Sequence, residues 1–257
     1  MTAMRAVVVI PARFSSTRLN GKPLADIGGK PMIQRVHERA LLASLVGECI
    51  VATDDERILK AVEAFGGRAV MTSDRHTSGT DRIAEAVRKL DIKAGIIVNV
   101  QGDEPLIEAS AIDDAIRPML ERPELKVCTL KTRITDEHEY LDPNAVKVVT
   151  DKDGNALYFS RSPIPHYNTS FKEAGPRLFK HIGLYVYRRD FLLEFSGMRP
   201  SPLEKTERLE QLRILENGYR IKVVETPYNP VSVDTPEDLE RVREIVRKWP
   251  LGNAERN

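Results

Sequence analysis

The sequence predicts an α/β fold, in which a mainly parallel mixed sheet is flanked by helices. Through the first half of the chain, short apolar segments alternate with segments of helical periodicity. This alternation is typical of parallel strands joined by right-handed helical crossovers. The 257 residues are enough for one large domain with a sizeable core. We therefore expect a single α/β domain over residues 1–257, whose character changes near residue 125.

In the first half of the chain, the apolar pattern predicts four strands and four helices in strict alternation. The predicted strands are 6–10, 49–53, 69–71 and 95–100, and the predicted helices are 30–44, 54–67, 79–90 and 108–120. Pro31 suits the first turn of the first helix. Acidic residues begin the second helix and glycine ends it, as the helix dipole and helix termination favour.

The second half predicts a hairpin, further strands and two longer helices. The predicted strands are 127–134, 145–151, 156–161, 181–189 and 219–226, and the predicted helices are 203–218 and 235–249. The turn sequence DKDGN at 151–155 favours a hairpin between the strands on either side of it. Thr235 suits the N-cap of the final helix, and Pro236 suits its first position.

Composition excludes several classes of protein. The formal net charge of +1 provides no bulk field for nucleic acid or an anionic membrane. The apolar run Ala6 to Ile10 is too short for a signal-peptide core or a membrane span. Cys49 and Cys128 lie far apart, so we expect two core residues rather than a disulfide framework or a zinc site. These features predict a cytosolic protein.

The segment PARFSSTRLNGKPL, residues 11–24, follows the first predicted strand and carries Arg13, Arg18 and Lys22. It is neither a G-x-G-x-x-G dinucleotide loop nor a Walker A loop, because Pro23 stands where Ser or Thr would follow the lysine. Ligands of parallel sheets bind beyond the carboxyl ends of the strands. We interpret the segment as a phosphate-binding loop of another type; the alternative is a solvated surface loop.

Two aspartates are candidate metal ligands. Asp103 follows the predicted strand 95–100 in the segment QGDEP, and Asp234 lies before the final helix in VSVDTP. Mg²⁺ typically binds one or two protein carboxylates together with phosphate oxygens and water. The alternative for Asp234 is a helix-capping role. Together with the basic loop, the two carboxylates suit attack at phosphorus, which needs mainly alignment and neutralisation of charge.

Several segments resemble one known family, in order from about residue 5 to about residue 245. They include IPARFSSTRLNGKPL, VATDDERI, TSGTDRIAEAV, VNVQGDEP, LEQLR and VDTPEDLERV, which resemble the 3-deoxy-manno-octulosonate cytidylyltransferases, also called CMP-Kdo synthetases. The resemblance implies a Rossmann-like nucleotide-diphospho-sugar transferase fold with a smaller dimerisation portion. It also implies a cytoplasmic homodimer that uses Mg²⁺ to transfer CMP from CTP to 3-deoxy-D-manno-octulosonate (Kdo), for lipopolysaccharide biosynthesis.

The resemblance further implies a division of labour between residues. It assigns residues 1–125 mainly to nucleotide binding and residues 126–230 mainly to sugar binding and dimerisation. Catalytic roles are implied for Arg13, Lys22, Asp103 and Asp234, and the two aspartates are implied as Mg²⁺ ligands. Nucleotide binding is implied for Arg13, Arg18, Lys22, Ser78, Gly79 and Gln101. Sugar binding is implied for Gln101, Arg161, His181, Tyr185, Glu210 and Gln211.

Other interpretations remain open at this point. Without the resemblance, Arg161 is a surface cation beside a hairpin and His181 is a structural histidine. Ser232 stands where the family usually has glycine, and a Cβ there restricts positive φ. Rival functions are activation of another 2-keto sugar acid, such as 8-amino-Kdo or a sialic acid, glycosyl transfer on a similar fold, and non-catalytic nucleotide binding.

Overall fold

The predicted sheet is present and carries a helical layer on each face. The computed structural model describes residues 6–15 and 19–249, and within these ranges the main sheet has nine strands. The strands are β1 (Ala6–Ala12), β2 (Asp26–Ile27), β3 (Lys30–Pro31), β4 (Val46–Thr53), β5 (Arg68–Met71), β6 (Ile96–Asn99), β7 (Val127–Arg133), β8 (Lys147–Thr150), β9 (Ala156–Ser160), β10 (Phe179–Arg188) and β11 (Lys222–Glu225). β2 and β3 form a separate small hairpin.

The helices follow the predicted alternation in the first half. They are α1 (Met32–Leu41), α2 (Glu56–Ala64), α3 (Gly79–Lys89), α4 (Ala109–Glu121), α5 (Glu137–Leu141), α6 (Phe171–Ala174), α7 (Arg189–Phe195), α8 (Pro202–Glu207), α9 (Gln211–Glu216) and α10 (Pro236–Arg247). Two 3₁₀ turns cover Lys22–Leu24 and Gly175–Arg177. No helix of the described residues is both long and apolar enough to cross a membrane.

The strand order is β11-β7-β10-β6-β1-β4-β5, with β8 beside β10 and β9 beside β8. The strands β6, β1, β4 and β5 run parallel to one another, as do β7 and β11. β10 is antiparallel to both β6 and β7, and it joins the parallel halves into one mixed sheet. The predicted mixed, mainly parallel α/β architecture is therefore confirmed.

Alternating residues of β1 place the sheet between two apolar layers. Val8 and Ile10 pack into the cluster that contains Ile33 of α1 and Ile112 of α4. Val9 packs into the opposite cluster, formed mainly by α3, α7 and α9. Burial on both faces is typical of parallel strands, and each fully buried aliphatic side chain contributes about 2 kcal/mol. Cys49 and Cys128 are buried in the first of these layers, as expected.

Two sequence predictions require correction, and one further feature was not predicted. The predicted helix 203–218 is two helices, α8 and α9, because the backbone turns at Arg208, whose φ is +54°. Arg161 donates to the carbonyl oxygens of Glu207 and Arg208, so a tertiary contact satisfies carbonyl groups at the end of α8. Pro31 is the N-cap of α1 rather than part of its first turn. The hairpin of β2 and β3, with Gly28 and Gly29 at positive φ, was not predicted.

Candidate active site

A cleft of about 300 Å³ opens beyond the carboxyl ends of β1 and β6. Its lining includes seven residues predicted from the sequence: Arg13, Lys22, Ser78, Gly79, Gln101, Asp103 and Asp234. They come from the end of β1, the first 3₁₀ turn, the start of α3, the turn after β6 and the segment before α10. The eighth residue predicted for nucleotide binding or catalysis, Arg18, lies outside the described residues.

Lys22 connects the two predicted metal ligands. Its Nζ donates to Asp103 Oδ2 at 2.8 Å and to Asp234 Oδ1 at 3.3 Å. It also donates to the carbonyl oxygen of Val233 at 2.9 Å. The lysine side chain is 15% exposed, and those of Asp103 and Asp234 are 30% and 43% exposed. Two partly exposed carboxylates of the cleft lining therefore converge on one cation position.

Glu104 lies behind this carboxylate pair. Its carboxylate accepts a hydrogen bond from the Tyr228 hydroxyl at 3.1 Å and another from the Ser232 hydroxyl. Burial raises the pKa of Glu104 to about 7, and the charges of Asp103 and Asp234 act in the same direction. Ser232 does not adopt positive φ, so its Cβ causes no strain of the kind considered from the sequence.

The N-terminus of α3 forms one wall of the cleft. The Ser78 hydroxyl accepts a hydrogen bond from the backbone N–H of Asp81 at 3.0 Å and caps the helix. A Cβ built on Gly79 would lie 3.2 Å from Pro11 Cγ, so glycine permits close packing of the helix start against the end of β1. Backbone N–H groups and the helix dipole make such an N-terminus suitable for phosphate.

Seven further lining residues were not predicted as site residues, and Arg82 and Gly102 are two of them. Arg82 is buried beneath the cleft and donates to Asp54 Oδ2 and Thr72 Oγ1, both at 2.6 Å. A Cβ on Gly102 would lie 3.0 Å from the carbonyl oxygen of Pro11. Arg82 lies in the segment SGTDR and Gly102 in the segment QGDEP, both of which the sequence singled out. The contacts of these two residues are with residues of other segments that are distant in the sequence.

Gln101 links the cleft to the predicted sugar-binding residues. Its Nε2 donates to Asn99 Oδ1 at 3.2 Å and to the carbonyl oxygen of Gly183 at 3.1 Å. Both amide hydrogens are therefore engaged. Gly183 lies on β10 between His181 and Tyr185, so these two side chains are positioned on the strand that Gln101 contacts.

The rings of His181 and Tyr185 are neighbours, tilted by 51° with centroids 5.3 Å apart. His181 Nε2 lies 2.9 Å from Thr129 Oγ1. Burial lowers the pKa of His181 to about 3, so the imidazole is neutral near pH 7. Burial also raises the pKa of Tyr185 well above its ordinary value, which keeps the phenol protonated.

Glu210 contacts the start of α3, which forms one wall of the cleft. Its Oε2 accepts a hydrogen bond from Thr80 Oγ1, in the first turn of α3, at 2.5 Å. Burial raises the pKa of Glu210, while the Thr80 hydroxyl and the charge of Arg213 oppose the shift. The adjacent Gln211 is buried at the start of α9.

Arg161 is held by backbone oxygens. Its Nε donates to the Glu207 carbonyl at 2.8 Å and its Nη1 to the Pro143 carbonyl at 2.9 Å. Among the described residues, the cleft lining itself excludes Arg161, His181, Tyr185, Glu210 and Gln211. The structure thus brings seven of the eight residues predicted for nucleotide binding or catalysis together in one cleft and leaves these five predicted sugar residues outside its lining.

The order of the strands and the position of the cleft define the class to which the protein belongs, that of the nucleotide-diphospho-sugar transferase fold. The crystal structure of 4-diphosphocytidyl-2C-methyl-D-erythritol synthase from Anaerococcus prevotii has this fold, with a TM-score of 0.63 at 13% identity over 95% of this chain and 100% of that one. The chain belongs to the cytidylyltransferase family, whose model matches residues 7–222.

Similar proteins narrow the class further. The chain is 59% identical over 253 residues to the 3-deoxy-manno-octulosonate cytidylyltransferase of Geotalea uraniireducens (strain Rf4), covering 95% of this chain and 100% of that protein. It is 47% identical to a CMP:2-keto-3-deoxy-manno-octonic acid synthetase whose structure was solved with CTP. The two structures agree with a TM-score of 0.89 over 95% of this chain and 99% of that one.

Proposed function

We propose that this protein transfers CMP from CTP to the anomeric 2-hydroxyl of Kdo, releasing pyrophosphate, and that the product serves lipopolysaccharide biosynthesis. The observation that carries this proposal is the convergence of Lys22, Asp103 and Asp234 on one point of the cleft. It occurs in a chain that is 59% identical to a 3-deoxy-manno-octulosonate cytidylyltransferase.

The reaction requires one bond to form and one to break. The 2-hydroxyl oxygen of Kdo bonds to the α-phosphorus of CTP, and the bond from that phosphorus to the bridging oxygen of pyrophosphate breaks. The hydroxyl proton is released. Arg13, at the end of β1, and the N-terminus of α3 both line the cleft that we propose for the triphosphate. Such fixed cationic and dipolar groups favour charge that builds on phosphate oxygens.

The carboxylates fit a Mg²⁺ ion. Both Asp103 and Asp234 contact the Lys22 ammonium, so oxygens of the two carboxylates lie within reach of one positively charged group. Their partial exposure leaves room for the water and phosphate oxygens that complete a Mg²⁺ shell. Bound there, Mg²⁺ would neutralise phosphate charge during the transfer. The flexible stem of Lys22 then allows its ammonium group to turn to a phosphate.

We assign the acid sugar to the β10 side of the cleft. Gln101 contacts β10 at Gly183, and Glu210 contacts the first turn of α3, so both join the nucleotide cleft to the residues around His181 and Tyr185. Neutral His181 and protonated Tyr185 provide hydrogen-bonding groups for sugar hydroxyls. Arg161 provides a permanent positive charge for the sugar carboxylate.

We further propose a cytoplasmic homodimer that associates through residues 126–230. Two large apolar side chains of this portion, Leu141 and Leu157, are 57% and 62% exposed. Their exposure supports an apolar contact with a second copy. Sedimentation velocity on the purified protein tests this assignment, and a monomer throughout the micromolar range would contradict it.

Pyrophosphate release tests the proposed activity. The purified protein is given CTP and Mg²⁺, with Kdo, 8-amino-Kdo and N-acetylneuraminate offered separately. We expect release with Kdo. Release with another acid sugar alone would retain the mechanism and change the substrate. No release with any of the three, in a protein that still binds CTP, would favour a non-catalytic nucleotide-binding role.

A further inference from the structure

Asp234 lies in an irregular segment that belongs to no helix or strand. Between the end of β11 at Glu225 and the start of α10 at Pro236, the chain forms no helix or strand. Asp103, by contrast, follows β6 within a tight turn, in which the Glu104 N–H donates to the Gln101 carbonyl oxygen at 3.3 Å. The distance between the two carboxylates therefore depends on contacts between this turn and the irregular segment.

Glu104 provides two of these contacts. Its two carboxylate oxygens accept from different residues of the irregular segment, Oε2 from the Tyr228 hydroxyl and Oε1 from the Ser232 hydroxyl. A backbone hydrogen bond of 2.9 Å from the Val233 N–H to the Asp103 carbonyl lies alongside them. Tyr228 is 3% exposed, so its ring anchors the segment in the core while its hydroxyl reaches Glu104.

We infer that Glu104 is a positioning residue, which sets the spacing between Asp103 and Asp234 by holding the Tyr228–Ser232 segment against the turn. The inference rests on the proposed metal site. Glu104 does not itself contact the cation position, because both of its oxygens are directed to hydroxyl groups. It acts through hydrogen bonds, as residues that orient metal ligands commonly do.

Mn²⁺ binding to the protein–CTP complex tests this role, since no CMP is transferred when Kdo is absent. Removing a residue that orients a metal ligand typically lowers metal affinity by about 10-fold or more. We expect a Glu104→Ala variant to bind Mn²⁺ about 10-fold more weakly than the unaltered protein, as measured by titration calorimetry. A Glu104→Gln variant should stay within about 3-fold, because hydroxyl groups can donate to the amide oxygen and accept from the amide nitrogen.

Tyr228→Phe provides a second variant that keeps the buried ring and loses only the hydroxyl. It should weaken Mn²⁺ binding in the same direction as Glu104→Ala, but less. Tyr219→Phe is the matched control, because it removes a tyrosine–glutamate hydrogen bond, to Glu194, outside the cleft. Thermal unfolding with EDTA and no nucleotide separates a metal effect from a general loss of stability.

Several results would overturn the inference. Unchanged Mn²⁺ affinity in Glu104→Ala would do so, as would a Tyr228→Phe variant that matches Tyr219→Phe. A Glu104→Gln variant as weak as Glu104→Ala would show that the negative charge acts directly. Absence of Mn²⁺ binding in the unaltered protein would overturn the metal site together with this inference. Pyrophosphate release by the unaltered protein with Kdo reports on the proposed function separately.

Discussion

Replacement of Gly102 by alanine tests whether the close approach of the Asp103 turn to the end of β1 is needed for activity. The added Cβ would lie 3.0 Å from the Pro11 carbonyl oxygen, whereas ordinary van der Waals contacts begin at 3.4 Å. The Pro11 oxygen is a backbone atom rather than the end of a flexible side chain, so the turn that carries Asp103 must move by about 0.4 Å to restore ordinary contact. A misplacement of about 1 Å at a reacting centre costs about 100-fold in rate. We therefore expect kcat to fall by about 10-fold, equivalent to about 1.4 kcal/mol.

Initial rates of pyrophosphate release at saturating CTP and Kdo measure this effect. The stability cost of such overpacking is about 1 kcal/mol, which leaves the variant folded at 25 °C. Gly175→Ala is the matched control, because its added Cβ meets no atom within 4 Å and its backbone φ is not positive. A Gly102→Ala enzyme with the kcat of the unaltered protein would refute the reasoning, since the turn would then tolerate the shift.

Two further predictions concern charge. Asp103→Ala and Asp234→Ala should each abolish Mg²⁺-dependent pyrophosphate release and leave the circular dichroism spectrum unchanged. Asp153→Ala, in the exposed hairpin turn, is the control. Substantial turnover by the Asp103 or the Asp234 variant would contradict the assignment of that aspartate as a metal ligand. Folding lowers the pKa of His181 from 6.5 to about 3, so between these pH values the unfolded state binds a proton that the folded state does not. The free energy of unfolding should therefore fall by up to about 1.4 kcal/mol per pH unit as the pH decreases from 6.5 towards 3. Urea titrations between pH 7 and pH 4.5 should show a shallower fall in a His181→Gln variant, and equal slopes would indicate that His181 becomes protonated within the folded protein.

The prediction of a single helix over residues 203–218 was wrong because a contact between distant segments interrupts it. Residues 203–216 contain no glycine or proline that would interrupt a helix, so the sequence alone predicts one helix. The break at Arg208 is accompanied by contacts from Arg161, which is distant in the sequence. The hairpin of β2 and β3 is a different case. Its Gly28–Gly29 pair is a recognised local signal for a two-residue turn, and it could have been used.

The sequence by itself determined the features that depend on near neighbours in the chain. Apolar runs specified the buried strands of the first half, DKDGN specified the hairpin turn between β8 and β9, and Thr235 specified the start of α10 with a capping box. Such features are set by backbone preferences and by side chains within a few residues. The types of residue at the cleft were also readable, because basic and acidic groups stood directly after predicted strands.

Only the tertiary structure decided how those residues meet. Lys22 contacts Asp103 across 81 residues and Asp234 across 212, and neither distance follows from local pattern. The antiparallel insertion of β10 between β6 and β7, and the contacts of Glu104 with Tyr228 and Ser232, likewise depend on the packing of distant segments. Backbone preferences and neighbouring side chains select the strands and turns, whereas long-range packing sets the distances between charged atoms on which the proposed binding and catalysis depend.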